Sequence, residues 1–207
     1  MIAVGMPEEN IDIKTYKNGH KFDKTYPQEI LSFLWSSLGY GELNEPGKWK
    51  DKPSHGTFTT FDQKEFYPET TNWRNWNLKG REKGYVYIPK QCEEESSNCR
   101  VHFVLHGCNG KPQGIAKSGY NDLAMTNNII MVYPDTRCWD STGSIDPENY
   151  KTNDGIVQTA FRSMLERVTR ESEPCSLYDS DVSDALTNIA SVRSFLADPD
   201  SNTIIPF

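Results

Sequence analysis

No stretch of this sequence stays apolar for anything near the ~20 residues a membrane-spanning helix needs, and the mean hydropathy is only −0.69. A membrane partner is therefore not expected. Basic charge is scarce too. The 22 Lys and Arg stand against 29 Asp and Glu, for a net charge of −7, so no basic stripe exists to displace counterions from a phosphate backbone. That argues against a nucleic-acid partner and for a neutral substrate. Only four histidines occur, and no two cysteines have the close C-x₂₋₄-C spacing of a zinc site, so a zinc site is not expected. The opening Met1–Pro7 is too short for the apolar region of an export signal.

What is present is aromatic mass and an odd set of cysteines. A 207-residue chain fits one ordinary domain. With hydrophobic residues at only 36% and aromatics at 12%, aromatic burial has to supply much of the core. Cys92 and Cys99 bracket the polar loop Glu93–Asn98 between two strand-like segments, as a hairpin disulfide would. Cys108 and Cys138 each follow a strand and can meet at one sheet edge, which leaves Cys175 without a partner in the chain. This usage favours an oxidising, extracellular compartment; the alternative is five reduced thiols in a cytosolic protein.

Along the chain, residues 10–16 alternate as an edge-like strand, Lys17-Asn-Gly19 turns, and His20 follows. Pro27 suits a first helical turn, and Ile30, Leu31, Phe33, Leu34 and Leu38 form a stripe that ends at Gly39. Residues 41–80, broken by Gly and Pro, read as a crossing segment packed by Phe58, Phe61, Phe66, Trp73 and Trp76. Strands are expected at 84–89 and 128–134, with a crossover helix over 114–127 that Gly119 weakens. With the strand near 101–105 these make a βαβ unit. A firm helix runs from Asp154 to Val168 and stops before Pro174. We expect one domain over 1–171 and an acidic, loosely patterned, poorly ordered tail over 172–207, with a weak helical pattern near 182–196.

The stretch from Arg100 to Gly110 organises the rest. Val101, Phe103 and Leu105 alternate with His102, Val104 and His106, and Gly107 allows a sharp, close-approach turn after them. Such a turn can aim backbone N–H groups at an oxyanion, as the His-Gly loop after an early strand does in hydrolases of the α/β type. His102 and His106 lie four apart on a strand, about 13 Å at 3.3 Å per residue, too far for one ion, so they read as structural. His55 belongs to no motif.

Taken together and in order, several segments resemble the poly(3-hydroxybutyrate) depolymerase family of the circularly permuted kind, in its C-terminal part. They are Gly19-His20 before Phe22, Phe61–Phe66, Gly84–Cys92, Cys99-Arg-Val-His102, Leu105-His-Gly-Cys108, Gly119–Ala124, Thr126–Pro134, Cys138-Trp-Asp140 and Asp154-Gly155. The resemblance implies a partial, circularly permuted α/β-hydrolase-like domain with a mostly parallel sheet and flanking helices. It implies ester hydrolysis by a serine that is acylated, with His20 as general base, the backbone N–H of Cys108 as one oxyanion donor, and no metal or cofactor. Trp139 would line the polyester-binding surface. The departures are equally specific. No Gly-x-Ser-x-Gly elbow occurs in the 207 residues, the orienting carboxylate would also lie upstream, and Asp12 reads as an exposed edge residue. Ser141-Thr142-Gly143 is poorer in aromatics than the family pattern. Two other readings stand beside this one: a non-catalytic polymer-binding module, and a feruloyl or acetyl esterase of the same fold.

Overall fold

Ile129-Ile-Met-Val-Tyr133 is apolar at every position, and a strand of that kind must be covered on both faces. The computed structural model describes residues 23–94 and 98–169. In it this segment is an inner strand, with all five side chains buried. Four strands form one sheet: β1 (Gly56–Asp62), β2 (Lys83–Pro89), β3 (Arg100–Phe103) and β4 (Ile129–Tyr133), in the spatial order β1-β2-β4-β3. Because side chains alternate along a strand, Ile130 and Val132 of β4 join Phe61, Val86 and Ile88 on one face. Ile129, Met131 and Tyr133 join Tyr87 and Val104 on the other.

Helices close both faces. The first is covered by α4 (Ile156–Thr169), through Ala160, Met164 and Val168. The second is covered by α1 (Tyr26–Ser37), through Leu31 and Trp35, and by α3 (Asn121–Asn127), through Leu123 and Ala124. At ~1.5–3 kcal/mol for each large side chain taken fully out of water, these two clusters are the main stabilising term. The α4 start is held by Asp146, whose carboxylate accepts from the Ile156 N–H at 3.2 Å, one of the donors a helix N-terminus leaves open.

The βαβ unit expected from the sequence is present, since β3 and β4 pair in parallel from Arg100 opposite Ile129 to Phe103 opposite Val132. The sheet as a whole is not mostly parallel. Both β1–β2 and β2–β4 are antiparallel. The reason lies in the connections: ten residues link Pro89 to Arg100, their described part holding one short 3-10 turn at Lys90–Cys92, which is shorter than the dozen or more residues a parallel crossover takes, so β3 runs opposite to β2. For the same reason Cys92–Cys99 is no hairpin staple. The disulfide forms, with Cα atoms 5.9 Å apart, but β4 stands between β2 and β3, so the bridge closes a connection between two strands that are not neighbours.

Other expectations change in detail. The 41–80 segment contains a full strand, β1, whose Thr57-Phe-Thr-Thr-Phe61 is the β-branched and aromatic composition strands favour. The buried side of α1 is Pro27, Leu31 and Trp35, while Ile30 and Leu38 are exposed. The crossover helix is two helices, α2 (Pro112–Ile115) and α3, joined by a widened turn at Ala116–Tyr120. Gly119 sits at the break with φ +115°, where an added Cβ would meet the Lys24 carbonyl at 3.2 Å. Residues 10–16, Asp12, His20, Cys175 and 172–207 lie outside the described residues.

Candidate active site

All four strands contribute one polar residue to the same end of the sheet, the carboxyl end of β1, β3 and β4, where open α/β sheets place their ligands. Gln63 follows β1, Arg81 precedes β2, His106 follows β3 and Asp135 follows β4. They converge on Asp135, which is 8% exposed. Arg81 Nη1 donates to Asp135 Oδ1 at 2.7 Å, and His106 Nε2 lies 3.2 Å from the same oxygen. Gln63 is fully buried; its Oε1 accepts from the Asp135 N–H at 3.0 Å, and its Nε2 donates to the carbonyls of Asp135 and Arg81. Burial pushes the Tyr67 hydroxyl up, and the Asp135 charge adds to the shift; Tyr85 moves the same way for the same two reasons.

Above this cluster runs the loop His106-Gly-Cys-Asn-Gly110, and nearly every residue of it is tied down. Trp139 Nε1 donates to the His106 carbonyl at 2.5 Å. The Gly107 carbonyl accepts from the Gly110 N–H at 2.9 Å and from His106 Nδ1 at 2.8 Å. Cys108 is bonded to Cys138, the Asn109 N–H donates to the Arg137 carbonyl at 2.6 Å, and the Gly110 carbonyl accepts from Arg81 Nη1 at 3.0 Å. The turn is made by residues other than Gly107. Asn109 takes the left-handed conformation at φ +59°, which Asn tolerates better than most residues. Gly110 is the crowded position, where a Cβ would lie 2.8 Å from the Gly107 carbonyl, whereas nothing comes within 4 Å of one at Gly107.

The Cys108 N–H has no acceptor among the described residues, and Cys108 is exposed. A backbone donor without an acceptor, on a loop fixed at so many points, is what electrostatic stabilisation of an oxyanion requires, because the donor needs no reorganisation when charge develops.

The sequence-based site residues fare unequally. Cys108 lies in the loop, exposed and bonded to Cys138. Trp139 is half-buried between the His106 ring at 5.3 Å and the Phe161 ring at 5.5 Å, so part of its surface serves packing. Trp76, expected to help pack the crossing segment, is instead 57% exposed, with the Arg137 guanidinium 4.7 Å from its ring. Leu105 is 45% exposed between the buried Val104 and His106, because strand pairing stops at Phe103 and its side chain lies beyond the packed face that Val101 and Phe103 share. His102 packs against Tyr120 with ring centroids 6.1 Å apart, and burial lowers its pKa to about 4. Asp135, Arg81 and Gln63 were not found from sequence; the only local signal was Asp135 standing just after Tyr133-Pro134 at a strand end. No group of three or more His, Cys, Asp or Glu among the described residues is arranged to hold a metal.

The fold is an α/β layered one with a pinned turn at the carboxyl edge of its sheet. No family model matches the sequence. A poly(3-hydroxybutyrate) depolymerase of Delftia acidovorans is 33% identical over 126 residues, 55% of this chain and 24% of that protein. A polyhydroxybutyrate depolymerase of Talaromyces funiculosus is 39% identical over 56 residues, 25% of this chain and 16% of that protein. Two solved structures align over 65% of this chain and 44% of theirs: a PHB depolymerase complexed with an R3HB trimer, at TM-score 0.48 and 24% identity, and the PHB depolymerase from Penicillium funiculosum, at 0.43 and 23%. The curated relatives are PHB depolymerases, each matched over part of this chain and part of its own length. The chain spans about a quarter or less of the length of the curated relatives it matches.

Proposed function

We propose that this chain is the oxyanion-bearing part of a polyhydroxybutyrate depolymerase-like serine esterase, acting on polyester or short-chain ester bonds. The observation that carries the reading is the N–H of the exposed Cys108, without an acceptor among the described residues, on the pinned loop between β3 and α2. The similarity to the Delftia acidovorans depolymerase supports it.

In the reaction so assigned, a serine hydroxyl attacks the ester carbonyl while His20 takes its proton, and the carbonyl oxygen gains charge opposite the Cys108 N–H. His20 returns the proton to the leaving alcohol, and water repeats the sequence on the acyl-enzyme. Trp139 lines the polyester surface beside the loop. The reaction as written needs neither metal nor cofactor. The serine and the carboxylate that orients His20 come from residues outside these 207, since the sequence holds no Gly-x-Ser-x-Gly elbow. The disulfides Cys92–Cys99 and Cys108–Cys138 fit an extracellular location.

Losing the nucleophile removes nearly all triad catalysis. The purified 207-residue chain is therefore expected to leave p-nitrophenyl butyrate unhydrolysed, and turnover that vanishes on His20→Ala would show that the nucleophile is present after all.

A further inference from the structure

We propose that His106, held by Asp135, is the positioning residue that turns the Gly107–Cys108 peptide so that the Cys108 N–H faces outward. The inference rests on the reading that this N–H is an oxyanion donor, and it assigns the side chain that makes the donor available.

Carbonyl and carboxylate oxygens only accept, so the ring that makes both contacts carries hydrogen on both nitrogens, donating from Nδ1 to the Gly107 carbonyl at 2.8 Å and from Nε2 to Asp135 Oδ1 at 3.2 Å. The Gly107 carbonyl and the Cys108 N–H belong to one peptide unit, and no peptide bond in the described residues is cis. In a planar trans peptide the C=O and the N–H point in opposite directions. Holding the oxygen against the buried ring therefore fixes the N–H away from it. Gly107 has no Cβ and so restricts the orientation of this peptide least, which leaves the bond to His106 to fix it. Among the described residues, the other donor to this carbonyl is the Gly110 N–H within the same turn.

The ring is itself fixed from below. His106 is 4% exposed, its Nε2 lies 3.2 Å from Asp135 Oδ1, and the Trp139 ring packs on it at 5.3 Å. Asp135 cannot swing away, because Arg81 holds its carboxylate and Gln63 its backbone on both sides. Arg81 also holds the far end of the turn at the Gly110 carbonyl. The line of control runs from Asp135 to the imidazole, from the imidazole to the Gly107 oxygen, and through the peptide plane to the Cys108 N–H. His106 meets no reacting atom in this scheme.

Three substitutions separate its two bonds. In His106→Asn the amide nitrogen stands where Nδ1 was, so the bond to Gly107 survives and the contact with Asp135 is lost. In His106→Gln the amide reaches toward Asp135 and the Gly107 bond is lost. In His106→Leu both go. The readout is the residual dipolar coupling of the Cys108 N–H in the ¹⁵N-labelled chain, which reports the direction of that bond; the couplings of β2 and β4 report whether the sheet is intact. We expect the wild-type Cys108 coupling in the Asn variant and a changed one in the Gln variant, with the β2 and β4 couplings constant in both. The Leu variant should follow the Gln variant, and if it does not fold the Asn and Gln pair still decides. A wild-type coupling at Cys108 in the Gln variant overturns the proposal. A butyrate titration of the wild-type chain tests the underlying reading separately. If the Cys108 amide resonance shifts with butyrate, the donor is open to an oxyanion. If it stays fixed while the variants behave as stated, His106 positions the peptide but the oxyanion assignment falls.

Discussion

Lowering the pH should destabilise this fold through His102, over a window and by an amount that the structure sets. Burial against Tyr120 lowers the His102 pKa from 6.5 to about 4. Above pH 6.5 the imidazole is neutral in both folded and unfolded chain and contributes no pH dependence. Between 6.5 and about 4 the unfolded chain takes up a proton that the folded chain refuses, so stability falls as pH falls; below about 4 both states are protonated and the loss is complete. At 1.36 kcal/mol per pH unit, the complete loss is about 3 kcal/mol, and about 2 kcal/mol of it is reached by pH 5. Urea unfolding at pH 7, 6, 5 and 4.5, followed by tryptophan fluorescence, measures the slope. Carboxylates titrate in the lower half of the same window, so the decisive quantity is the difference between the wild type and His102→Phe, which keeps an aromatic ring against Tyr120 and removes the proton site. The variant should lose about 2 kcal/mol less than the wild type between pH 7 and pH 5. Parallel stability curves for the two proteins would refute the reasoning, because a His102 that is not protected from protonation cannot produce a difference.

The loop and its support make two further predictions. Gly110→Ala places a Cβ 2.8 Å from the Gly107 carbonyl and 3.0 Å from His106 Nδ1, and overpacking of that kind costs about 1–3 kcal/mol, read as a lower urea midpoint; Gly107→Ala, with open space around the new methyl, should cost clearly less. Asp135→Asn keeps the shape of the side chain but leaves the Arg81 guanidinium, only 14% exposed, without its charge partner, and removing one member of a buried pair costs about 3–5 kcal/mol. Calorimetry of the variant checks it, and an unchanged transition would mean that the pair is not buried in solution.

The parts of the fold that could be read from sequence are those whose signal is local. The continuous apolar run of β4, the spacing of Ala160, Met164 and Val168 on α4, and the Pro27 and Gly39 that bound α1 each follow from periodicity or from one residue's backbone limits. Both disulfides were legible for the same reason, since each cysteine sits at the end of a recognisable strand. What escaped was set by pairing between distant segments. The direction of β2 depends on how short the link from Pro89 to Arg100 is, and β1 was hidden because Gly56 and Pro53 break the pattern just where the strand begins. The site divides in the same way. The His106-Gly107-Cys108 turn announced itself, but the Asp135 cluster draws Gln63, Arg81 and His106 from three other strands, and no spacing in the sequence links them. Even within the turn, sequence put the special backbone at Gly107, while the structure puts the left-handed residue at Asn109 and the crowded one at Gly110.

The central claim is that the Cys108 loop serves a serine and an aspartate held outside these 207 residues. It is tested most directly by extending the coding sequence upstream of residue 1 and assaying the protein it encodes on poly(3-hydroxybutyrate) film. The account predicts a Gly-x-Ser-x-Gly elbow and a following aspartate in that frame, and clearing of the film that is lost on His20→Ala. A stop codon immediately upstream, or an extended protein that carries such an elbow and leaves both the polyester and p-nitrophenyl butyrate intact, would contradict it.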